Sequence, residues 1–100
     1  MEKSIHTTCV EELFEAVLTL QNVQEYMEFF EDVCTVKEVQ SIAQRFAVAK
    51  MLRAGSTYAE VAAKTGASTA TISRVNRSMT YGNGSYDKIF ERLQNSKSDA

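Results

Sequence analysis

No proline occurs among the 100 residues, and the four glycines, Gly55, Gly66, Gly82 and Gly84, all fall in the second half. Helices can therefore run uninterrupted, and their breaks are expected at those glycines. Apolar spacing agrees. Val10, Leu13, Phe14, Val17, Leu18 and Leu20 recur three and four residues apart, with Glu11, Glu12 and Glu15 on the other face, which predicts a first amphipathic helix. Gln21-Asn22 interrupts that pattern. A second helix is expected from Val23 to Cys34, with Tyr26, Met27, Phe29, Phe30 and Val33 apolar and Glu25, Glu28, Glu31 and Asp32 outward.

Thr35-Val36-Lys37-Glu38 reads as a capping box, in which the threonine hydroxyl and the glutamate satisfy each other's backbone amides. The third helix it starts should reach Ala54, with apolar residues on more than one stripe, the mark of an element touched from two sides. Gly55 ends it. Thr57 and Glu60 make a second capping box before a short helix that Gly66 stops. Ser68 caps a fifth helix from Thr69, which should break at Tyr81-Gly82-Asn83-Gly84. A sixth is predicted over 85–94, and the tail 95–100, without an apolar anchor, is expected to fray. The fold class is all-α with six helices, in one domain spanning 1–100.

The segment 58–77 carries a sharper pattern. A helix-turn-helix crosses its helices at about 90–120°, so particular sites must be small, flexible or apolar. Counted from Tyr58, Val61, Ala62, Gly66, Ile72 and Val75 occupy positions four, five, nine, fifteen and eighteen of that unit. With Ile72 and Val75 inward, Thr69, Ala70, Ser73, Asn76 and Arg77 face outward, with Thr71 and Arg74 at the flanks. Small side chains at a helix start let it approach base edges closely. Ser68, Thr69, Ala70, Thr71 and Ser73 are therefore expected at DNA bases, and Arg74, Arg77, Arg53 and Lys64 at phosphates.

Net charge is only −2, but its distribution fits that reading. Residues 1–44 hold two basic against nine acidic side chains, a balance of −7, whereas 45–77 hold six basic against one acidic, a balance of +5. Other chemistries find little support. Cys9, Cys34 and one histidine, His6, offer no zinc set or disulfide framework, and no cofactor is expected. Catalysis needs a nucleophile, base or metal in a pocket, so an enzyme is not expected. No apolar run approaches a membrane span, and Met1-Glu2-Lys3-Ser4 does not open a signal peptide, so a cytoplasmic protein is expected. The alternative to a DNA-binding regulator is a protein-interaction module that uses the acidic first two helices.

Gln44-Arg45, Leu52-Arg53 and the run Gly66-Ala67-Ser68-Thr69-Ala70-Thr71-Ile72-Ser73-Arg74 follow one another within a stretch, Val36 to Met79, that resembles the Trp repressor family. Over residues 10–93 the chain is similar to the YerC/YecD group of Trp-repressor-related bacterial proteins, through Tyr26-Met27-Glu28-Phe29-Phe30-Glu31-Asp32-Val33-Cys34-Thr35, Gly66 to Val75 and Tyr81-Gly82-Asn83. The resemblance implies a six-helix subunit intertwined with a second copy, its two recognition helices meeting double-stranded DNA about one turn apart on a pseudo-palindromic site. It also implies a ligand pocket, since the two arginines that flank the repressor's bound indole align with Arg45 and Arg74. The following residue is glycine in the repressor and Val75 here. Overfilling an occupied site costs about 1–3 kcal/mol, so no response to L-tryptophan is expected. Ala59 stands where the repressor has a basic DNA-contacting residue, so the resemblance carries no operator sequence.

Overall fold

The computed structural model describes residues 7–98. His6, considered above as a metal ligand, lies outside them. Six helices follow one another: α1 (Thr8–Val17), α2 (Val23–Val33), α3 (Val36–Arg53), α4 (Tyr58–Thr65), α5 (Thr69–Tyr81) and α6 (Ser85–Ser98). The single domain expected from the length is organised as two compact units, with the boundary between Val39 and Gln40, inside α3.

In the first unit each helix is started by a side-chain cap. Thr7 accepts from the Val10 amide and starts α1. The dipeptide that interrupts the apolar pattern turns out to be a cap as well. Asn22 Oδ1 accepts from the Glu25 amide at 2.9 Å, and the Glu25 carboxylate accepts from the Gln21 amide at 2.9 Å. The Thr35–Glu38 box then forms as predicted, with both of its hydrogen bonds present. The apolar stripes of α1 and α2 exist, but neither helix contains a buried residue. Leu18 is 81% exposed, Met27 61% and Phe14 55%.

The second unit holds the core. Val48, Ala49, Val61, Ala67, Ile72 and Val75 are buried, with Met51, Leu52, Ala62, Met79, Tyr86 and Phe90 packed around them. The helix α3 ends in a Schellman motif, in which the Ser56 amide donates to Met51 O and the Gly55 amide to Leu52 O. The helix α6 lies on α3 through rings, with Phe46 and Phe90 centroids 5.1 Å apart. It runs to Ser98, four residues beyond the expected end, because no glycine or proline interrupts it. At the α5–α6 break, Gly82 is required by space. Its amide donates to Ser78 O, and any Cβ there would collide with that same carbonyl.

The capping box of α4 is complete: the Glu60 amide donates to Thr57 Oγ1, and the Thr57 amide donates to the Glu60 carboxylate at 2.7 Å. These bonds hold the Glu60 carboxyl below its ordinary value of 4.5, first through the Thr57 backbone and then through its hydroxyl. Glu38 is lowered in the same way by Thr35. A carboxyl lowered by folding contributes stability above its unfolded value and loses it as pH falls through the folded one. Melting temperature should therefore decline as pH drops below about 4.5, and Thr57→Ala should remove about 1 kcal/mol at neutral pH together with part of that acid dependence. A T57A melting curve with an unchanged acid limb would refute the assignment.

Candidate DNA-binding face

The turn between α4 and α5 is where the site is set. Gly66 caps α4 in the left-handed region at φ 74°, a conformation that an L side chain adopts only with strain. Its amide donates to Ala62 O at 2.9 Å. Ala67 is buried, and Ser68 starts α5 by accepting from the Thr71 amide at 3.1 Å. Ile72 and Val75 then turn inward, at 1% and 2% exposure. With these two fixed, the helical period leaves Thr69, Ala70, Ser73, Arg74, Asn76 and Arg77 outward, and all six are exposed.

The predicted contact residues divide into two groups. Thr69, Ala70, Ser73, Arg74 and Arg77 share one face of α5, with Lys64 exposed on α4. Among the described residues no carboxylate pairs with Arg74, Arg77 or Lys64, so their charge is available to a phosphate. Ser68 and Thr71 are committed elsewhere. The Ser68 hydroxyl donates to Thr71 Oγ1 at 3.0 Å while accepting from the Thr71 amide, and Thr71 is half-buried. These two hydroxyls hold the start of α5, and Ser68 remains exposed there.

Arg53 is also committed. Its Nη1 donates to Asp87 O at 3.3 Å, its Nε lies 3.7 Å from Asp87 Oδ1, and its guanidinium sits 5.4 Å from the centre of the Phe90 ring. It fastens α6 to the end of α3, a use set by a partner 34 positions away and absent from the local sequence pattern.

The three residues aligned with the repressor's ligand pocket differ in burial. Val75 belongs to the core, Arg45 is half-buried and Arg74 is exposed. A shallow groove of about 760 Å³ follows a different stripe of α3, along Ala43, Ala47, Met51 and Ala54, and ends at Lys64 and Thr65. Neither arginine nor Val75 lines it. Among the described residues, no group of three or more His, Cys, Asp or Glu side chains could hold a metal ion, and no helix is long and apolar enough to cross a membrane.

A six-helix chain with this turn and this outward face matches the sequence profile of the Trp repressor protein over residues 8–94. The chain belongs to the Trp repressor family. Members of the family are DNA-binding regulators. Among Trp repressor relatives, the YerC protein of Bacillus subtilis (strain 168), itself uncharacterised, is 45% identical over 91 residues, which is 91% of this chain and 88% of that protein. The crystal structure of a TrpR-like protein from Eubacterium eligens ATCC 27750 superposes with a TM-score of 0.88 at 58% identity, covering 93% of this chain and 96% of that one. A candidate Trp repressor from Staphylococcus aureus gives 0.85 at 51% identity over 88% of each chain.

Proposed function

We propose that this chain is a homodimeric transcriptional regulator of the bacterial cytoplasm, a repressor that reads a pseudo-palindromic DNA site through α5. One observation carries the reading. Thr69, Ala70, Ser73, Arg74 and Arg77 stand exposed on one face while Ile72 and Val75 anchor the other. Thr69 and Ala70 lie at the exposed start of the helix, where a thymine methyl or a base-edge acceptor is within reach of such small groups. Arg74, Arg77 and Lys64 then neutralise phosphates, and the α5 amides add a positive dipole end. The apolar faces of α1 and α2, open in the single chain, support a second copy as partner.

The regulator works without L-tryptophan. Val75 fills the core at the position where the repressor keeps a glycine, and neither Arg45 nor Arg74 lines the groove along α3. Neither melting temperature nor DNA affinity should change when L-tryptophan is added.

The decisive experiment is genome-wide mapping of bound sites, followed by affinity for the recovered site as a function of salt. Binding should weaken steeply with salt, and Arg74→Ala should weaken it across sequences and reduce the log–log slope by about 0.9. The same acidic, apolar α1–α2 surface favours a second reading, a protein-interaction module. That reading takes over if R74A leaves DNA affinity and slope unchanged while a protein partner is lost with changes in α2.

A further inference from the structure

The residues around Gly66 contain a hydrogen-bonded chain that no sequence pattern announces. Thr65 Oγ1 donates to Val61 O at 2.7 Å and accepts from the Ala67 amide at 3.2 Å, so one hydroxyl joins the last turn of α4 to the residue that leads into α5. The Thr65 carbonyl is one of the four that a helix end leaves without an intrahelical partner. It is satisfied from outside the motif, by Gln44 Nε2 of α3 at 3.1 Å. Both residues are half-buried, at the α4 end of the alanine-floored groove. A polar group in such a place loses most of its access to water, so removing its partner is felt more than at a free surface.

We infer that Gln44 and Thr65 are positioning residues, a strut from α3 through the turn that sets where the recognition helix α5 points. Three bonds converge on one side chain and its carbonyl. They fix both flanks of Gly66, the one residue there whose backbone has the freedom to swing α5. The core contacts of Ile72 and Val75 hold α5 against α3 and α4, whereas the strut fixes the direction in which α5 leaves the turn. The DNA arm of this inference rests on the proposed function; the structural arm does not.

The test uses the full chain. Gln44→Met keeps length and helix propensity and removes the donor; Thr65→Val keeps shape and removes the hydroxyl; Thr65→Ser restores the hydroxyl. Without DNA, amide exchange at Gly66, Ala67 and Thr71 should rise roughly two- to tenfold in Q44M and T65V, return toward the parent value in T65S, and stay unchanged along α6. On the mapped DNA site, Q44M and T65V should lose affinity by a similar factor with an unaltered salt slope, because no phosphate contact is removed. Unchanged exchange at the turn in both variants, or a rise spread evenly over α3–α6, overturns the strut. So does a T65S protein that behaves like T65V. A chain that shows the local rise but binds no DNA sinks the proposed function and leaves the strut standing.

Discussion

Ile72→Ala should cost about 2–5 kcal/mol, a range typical of a buried isoleucine truncated in a core that closes only partly over the gap. Ile72 is 1% exposed and is the largest of the fully buried side chains, followed by Val48, Val61 and Val75. Domains of this size are stable by about 5–15 kcal/mol in total. Six buried residues make a small core, so the remaining margin is thin. At roughly 4–8 °C per kcal/mol for a domain of this length, melting should fall by about 10 °C or more. Ile72→Val removes one methylene and should cost only about 0.5–1.5 kcal/mol. The exposed neighbour Ser73→Ala should stay within about 0.5 kcal/mol of the parent. A graded series of this kind separates the two faces of α5: Ile72 changes stability, and Ser73 changes DNA affinity alone. An I72A protein that melts within about two degrees of the parent would show that the position-fifteen side chain does not anchor the helix.

The features legible in the sequence are those whose partners lie within about four residues. Thr57 with Glu60, Ser68 with the Thr71 amide, and Gly66 in the left-handed region are all local arrangements, and each formed where the pattern placed it. Ile72 and Val75 were legible because a sharp corner between helices tolerates few residue types at its inward positions. What the pattern missed is non-local or ambiguous. Gln44 and Thr65 are 21 positions apart, and neither type is unusual on a helix. Arg53 has the charge of a phosphate ligand, and its contacts with Asp87 and Phe90, brought near by α6, are invisible in the local pattern. Asn22 reads as a gap in apolar spacing alone, although asparagine ahead of a glutamate three residues on is a helix start.

The start and the middle of α5 are thus held by different forces. Its start is fixed by hydrogen bonds within the turn, through Ser68, Thr71 and Thr65. Its middle is fixed by burial of Ile72 and Val75. Hydrogen bonds are directional and burial is not, so the turn governs aim and the core governs retention. Conformational precision matters for the proposed surface, in which Thr69 and Ala70 meet base edges while Arg74 and Arg77 reach the backbone.

If the chain pairs as proposed, Met27→Glu should turn the two-chain particle into a single chain. Met27 is 61% exposed on α2 and among the most open of the large apolar side chains. A glutamate there meets water in the isolated chain, keeps helix propensity and disturbs no buried neighbour. In that setting the effect on stability should be within about 0.5 kcal/mol. In a two-fold assembly the same face is covered by its counterpart, and the substitution appears twice. Each copy then buries an unpaired carboxylate, at several kcal/mol per ion, on a helix already carrying Glu25, Glu28, Glu31 and Asp32. The two settings therefore predict opposite results. Sedimentation should show the mass of two chains for the parent and of one for M27E, while Glu28→Gln, exposed on the same helix, remains paired. Because a lone recognition helix engages one half-site only, M27E should also lose most of its affinity for the complete pseudo-palindrome while keeping weak binding to a half-site. A paired M27E protein with full DNA affinity would mean that this face of α2 lies outside the contact between copies.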